Sequence, residues 1–144
     1  MNDTTEAAVW ARVRAAQATA DPWSRLYTGL ALAADTYAAL LCRTSGKARQ
    51  LIRQLHLEAR SQIRRLNAMA YAATGSHQMV QSDPMSNQTT AALLRQAWQA
   101  AQSNAAVFRE AAELDSPFLA EFTQMEKLWP RHSAHILSLL QQIL

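Results

Sequence analysis

The stretch Ala48–Gly75, ARQLIRQLHLEARSQIRRLNAMAYAATG, decides the fold. Helix-favouring residues fill it, it holds no Pro, and its single Gly, Gly75, stands where a helix would stop. Residues three and four apart share one helix face. Here they trace a seam of Leu51, Leu55, Glu58, Gln62, Leu66 and Met69. Glu58 thus falls in the middle of the stripe expected to face a core. A buried carboxylate is costly unless it is paired or bound to a metal, so Glu58 is the first candidate for chemistry.

Upstream, Thr44, Ser45 and Gly46 make a tight connection, which turns the preceding helix antiparallel to this one. That helix opens at Asp21-Pro22, since Pro suits the first helical position, and runs to about Arg43. Its seam is Leu26, Leu30, Ala33, Tyr37 and Leu40, with Asp35 expected to point away. Before it, Asp3 followed by Glu6 resembles a capping box and predicts an extra short N-terminal helix over residues 1–20, with Val9, Val13 and Ala16 on its stripe.

Downstream, Thr74 to Gln88 is polar and carries the breakers Gly75, Asp83-Pro84 and Ser86-Asn87. Extended, such a segment reaches roughly 50 Å, at about 3.3 Å per residue. The helix before it is only about 39 Å long, at 1.5 Å per residue. The loop can therefore run the height of a bundle and start the third helix parallel to the second. That third helix spans about Thr89 to Glu113 on a seam of Leu94, Trp98, Ala101, Ala105, Phe108 and Ala112. Asp115-Ser116-Pro117 ends it and opens the fourth. Phe118, Phe122, Met125, Trp129, His132, Ile136 and Leu139 line the fourth helix, and Pro130 should kink it near Glu126. Residues 22–144 thus read as a four-helix bundle of two antiparallel hairpins joined by a crossover loop, in one domain with the N-terminal helix.

Composition agrees with an all-α chain. Hydrophobic residues make up 49% of 144 residues, much of it alanine, beside only 3 Gly and 4 Pro. The single Cys42 excludes an intramolecular disulfide and reads as a structural thiol in a reducing, cytoplasmic location. Met1–Glu6 is too polar for a signal peptide, and no apolar run approaches the roughly 20 residues a membrane span needs. The net charge of +3 is uneven. Arg43 to Arg65 holds seven bases and one acid, so that segment bears +6 and the rest −3. Within it Arg49, Arg53, Arg60 and Arg64 share one face. Such a strip reads first as a solvated helix face, and next as a surface for an acidic partner or nucleic acid.

The segment Tyr37 to Gly75, with Ile52-Arg53-Gln54-Leu55-His56-Leu57-Glu58-Ala59-Arg60-Ser61, resembles the second helix of rubrerythrin-type ferritin-like proteins. Phe118 to Leu144, with Arg131-His132, is similar to their fourth helix. The resemblance covers most of the chain from about Trp23. Ferritin-like bundles hold two metal ions with one Glu from each of two helices and Glu-x-x-His from each of the other two. Carried over by position, the second-helix motif falls on Glu58 and Ser61, and the fourth on Trp129 and His132. The single-Glu positions fall near Leu30 and Ala101. Glu58 and His132 alone keep strong ligand atoms, and one carboxylate with one imidazole does not hold a di-iron pair.

The resemblance therefore implies a degenerate ferritin-like bundle with no cofactor, in which Glu58 and His132 are vestigial metal candidates that meet as a pair while Trp129 fills the vacated space. The corresponding function is non-catalytic: structural, partner-binding or small-ligand-binding, as a homo-oligomer or with a protein partner. A rubrerythrin-like peroxidase or oxidase using iron is the alternative if the ligands sit a turn away. Nucleic-acid or anionic-surface binding through the arginine strip is the second. His135, three residues beyond His132, offers one further nitrogen for a zinc or nickel ion, with no third ligand at workable spacing. Gly-rich phosphate loops, nucleophile elbows and zinc-finger spacings are absent from the sequence.

Overall fold

A computed structural model describes residues 8–9, 22–76, 87–114 and 116–144, and these residues form an all-helical bundle. Its helices are α1 (Pro22–Leu41), α2 (Gly46–Thr74), α3 (Thr90–Glu113), α4 (Leu119–Glu126) and α5 (Leu128–Ile143). Local chemistry sets the ends. Gly75 adopts φ 79°, and its N–H reaches the Tyr71 carbonyl to close α2. Thr89 caps α3 by accepting from the Ala92 N–H at 3.1 Å. The expected fourth helix is divided at Lys127 into α4 and α5, and Pro130 lies in the first turn of α5. Pro130 has no N–H to donate to the Glu126 carbonyl, so the interruption falls where the ladder would have run through it. The N-terminal helix lies outside the described residues except for Ala8 and Val9. Those two are helical, and Val9 joins the core.

Side-chain bonds fix the directions of the helices. Arg25 pairs with Glu110, Asn104 donates to the Gly29 carbonyl and Gln96 donates to the Thr36 hydroxyl. As the α1 number rises the α3 number falls, so the two are antiparallel. The four-residue turn makes α1 antiparallel to α2 as well, and α2 and α3 consequently run parallel. Thr74 and Thr90 sit at opposite ends of the bundle. Arg109 with Glu126 and Gln102 with Ser133 set α4 and α5 antiparallel to α3.

The core is aliphatic through the middle, with Leu26, Leu30, Leu40, Ile52, Leu55 and Leu93 fully buried. It is aromatic at one end, where Trp23 packs edge-on against Phe118 and Phe122 stacks towards Phe108. Two expectations are corrected. On the expected α3 seam Leu94, Ala101, Ala105 and Phe108 are buried but Trp98 is exposed, and the buried face is wider, taking in Leu93, Gln96, Ala97, Ala100 and Asn104 as well. Two amides on that face hid it from an apolar count. Asp35 is half-buried and interacts, so it does not point clear of the bundle.

Candidate functional site

Glu58 lies on the edge of the buried arc of α2, not in its middle. The arc is carried by Ile52, Leu55, Ala59, Gln62, Ile63 and Leu66, and the Glu58 side chain keeps 30% exposure. From that edge it reaches across to α5, where His132 projects from a fully buried position. The His132 Nε2 to Glu58 Oε1 distance is 3.0 Å. On the other side of the ring, Tyr37 Oη lies 2.7 Å from Nδ1. A carboxylate only accepts, so Nε2 carries the proton and donates it, while Nδ1 accepts from the phenol. One neutral tautomer satisfies the whole line from α1 through α5 to α2.

The electrostatics agree with that assignment. Burial pushes the His132 imidazole down to about 4, with Arg131 and His135 adding to it and Glu58 partly opposing. Burial, and then the Glu58 charge, hold the Tyr37 phenol well above its ordinary value, so it stays a donor. At neutral pH the imidazole and the phenol are therefore both uncharged.

A second pair stiffens the same level. Trp129, fully buried, donates its indole N–H to Gln62 Oε1 at 3.0 Å, and Gln62 Nε2 donates to the Met125 carbonyl at 3.0 Å. That carbonyl lies in the last turn of α4 and also accepts from the Lys127 N–H. Gln62 therefore ties α2 to the α4–α5 break. The Trp129 ring meets the His132 ring edge-on at 4.8 Å between centroids, which fixes the imidazole plane.

Of the positions carried over from the resemblance, Leu30, Ala101 and Trp129 are fully buried and fill the bundle centre. Ser61 is exposed on the rim and does not accompany Glu58 inward. His135 is exposed on α5, while the His132 ring is buried. Among the described residues no group of three or more His, Cys, Asp or Glu side chains converges as a metal site would require. Tyr37 and Gln62 complete the centre. Both stood on expected seams, and the signal for their role was a polar end on a residue placed among leucines. Cys42 is exposed, with its Sγ over the Ala38 carbonyl, and is not a core thiol.

Outside this centre, α2 and the α4–α5 junction border a groove of about 480 Å³. Glu58, Ser61 and Arg65 form one wall, and Lys127, Leu128 and Arg131 the other. Arg131 approaches the second oxygen of Glu58 at 4.0 Å. Arg49, Arg53, Arg60 and Arg64 are all exposed on the opposite flank of α2. Tyr71, 60% exposed, continues their spacing of four and seven residues. Among the described residues no helix is long and apolar enough to cross a membrane. Comparison with protein-family models, with curated proteins and with solved structures found no match to this chain.

Proposed function

We propose that the chain is a ferritin-like four-helix bundle of rubrerythrin type whose di-metal centre has been replaced by side chains, and that it works as a non-catalytic structural or ligand-binding module. The observation that carries this reading is the saturation of His132. One nitrogen donates to Glu58 and the other accepts from Tyr37, so in this tautomer the one imidazole left at the carried-over ligand positions has no free lone pair to offer. The burial of Leu30, Ala101 and Trp129 at three other ligand positions supports it, as does the parallel course of α2 and α3, which a single crossover connection produces. A reducing, cytoplasmic setting goes with this reading, because the thiol of Cys42 is exposed and single.

The test is elemental analysis of purified protein, followed by thermal melts with and without a strong chelator. No stoichiometric metal and unchanged melting are expected. Iron at two atoms per chain, or a large drop in melting temperature, overturns the reading and restores a rubrerythrin-like oxidoreductase. A second reading rests on the exposed stripe Arg49, Arg53, Arg60 and Arg64, which Tyr71 extends: an anionic surface, such as nucleic acid, would lie along this face. Binding that weakens steeply across a salt series is its mark, because phosphate contacts release counterions.

A further inference from the structure

The groove beside Glu58 carries a charge imbalance that the buried centre does not need. Arg65, Lys127 and Arg131 converge on one concavity from two helices, against the single carboxylate of Glu58. That carboxylate is already engaged, by the His132 N–H at 3.0 Å and by Arg131 at 4.0 Å. The side chains of Arg65 and Lys127 make no hydrogen bond or ion pair among the described residues. Like charges brought together on a concave wall repel one another, and a bound anion relieves that repulsion. The outer arginine stripe differs, because its members are exposed on the opposite flank of α2, with Arg49 donating to the Leu41 carbonyl.

We infer that this groove is a binding site for a small phosphate monoester. Its charged walls sum to two positive charges, and a phosphate monoester carries about −1.5 to −2 at neutral pH. Two guanidinium forks and an ammonium suit three phosphate oxygens, with the Ser61 hydroxyl at the rim as a further donor. The volume of about 480 Å³ leaves room for an organic body beyond the phosphate. Met125 and Leu128 give that body apolar surface to lie on. Glu58 holds Arg131 at the mouth and, through its other oxygen, links the groove to His132. An anion that draws Arg131 towards itself therefore alters the environment of the buried imidazole.

The experiment is a nuclear magnetic resonance titration of the full chain with inorganic phosphate and with glycerol 3-phosphate, at ionic strength held constant with chloride. Saturable shifts are expected at Arg65, Lys127 and Arg131, together with a shift of the His132 ring resonances that simple surface adsorption would not produce. The double variant Arg65→Gln with Lys127→Gln should weaken both ligands at least about tenfold. Its thermal melt should be unchanged, since both side chains are exposed. Arg53→Gln with Arg60→Gln should leave the titration as it was. Shifts that do not saturate, that follow Arg53 and Arg60, or that survive loss of Arg65 and Lys127 overturn the site. Saturation by inorganic phosphate with no gain for glycerol 3-phosphate overturns the monoester and leaves an adventitious ion only. Metal in the purified protein would overturn the proposed function but would not touch this result, so the two failures are distinguishable.

Discussion

The contact between α1 and α3 and the contact between α2 and α5 solve the same packing problem in opposite ways. Along α1 and α3 the residues are small: Ala33 and Ala34 face a row of Ala97, Ala100 and Ala101, all buried. Gly29 lets Asn104 approach so closely that its amide donates to the Gly29 carbonyl at 3.1 Å. The buried polar groups there, Gln96 on Thr36 and Asn104 on Gly29, are neutral and sealed from water, and the charged pair Arg25–Glu110 lies on the exposed rim. Between α2 and α5 the backbones stand apart and long side chains span the gap. His132 and Trp129 come from α5, Glu58 and Gln62 from α2. Close backbones leave no room beside them, whereas helices held apart by rings leave a groove along one edge. The wide contact carries the buried titratable ring, the carboxylate that meets it and the opening to solvent.

The largest way to break the comparison is at His132. Replacing it with Leu leaves the Tyr37 hydroxyl buried without its acceptor and Glu58 without its donor, and should cost about 3 kcal/mol in denaturant melts. In a cycle with Glu58→Gln the two losses should not add, because both substitutions cut the same bond. Additive losses would mean that the 3.0 Å contact contributes nothing. The same residue sets a pH dependence. An unfolded His binds its proton below pH 6.5, while the native ring resists until about 4, so protons favour the unfolded chain between those values. Stability is full above pH 6.5 and should fall by up to about 1.4 kcal/mol per pH unit as pH drops towards 4. In the Leu variant that slope should disappear. If it persists, other groups carry it.

A smaller effect sharpens the narrow contact. A Cβ added at Gly29 would run into the Asn104 side-chain oxygen. Gly→Ala inside an exposed helix normally gains about 0.5–1 kcal/mol, so the sign is the diagnostic here. Gly29→Ala should instead lose about 1–3 kcal/mol, the usual cost of overpacking. A stabilised variant would show that α1 and α3 are not in close contact at this level. The smallest effect belongs to the surface. Arg53→Gln with Arg60→Gln should change stability by less than about 1 kcal/mol, since exposed charges contribute little to folding. A loss of several kcal/mol would mean that the stripe is covered by another chain.

Much of this molecule was legible from residue order alone. Helix formers, two proline-marked starts and the Gly75 stop define the elements because these signals act within one helical turn. The α1 seam through Leu26, Leu30, Ala33, Tyr37 and Leu40 is buried throughout, since apolar periodicity reports a face directly when that face holds no amides. Glu58 and His132 stood out for the same reason, as polar groups on apolar seams. The α3 face was read too narrowly, with Trp98 wrongly placed on it, because periodicity counts Gln96 and Asn104 as exposed, and only their partners on α1 let them be buried. Which polar atoms pair is a matter of a few tenths of an ångström between helices far apart in sequence. The bond from Tyr37 to Nδ1, the clasp of Gln62 on Trp129 and the Met125 carbonyl, and the convergence of Arg65 with Lys127 and Arg131 were therefore decided by the tertiary structure. Helical geometry is local and repeats every few residues, whereas the width of the gap between α2 and α5 depends on every side chain packed into it.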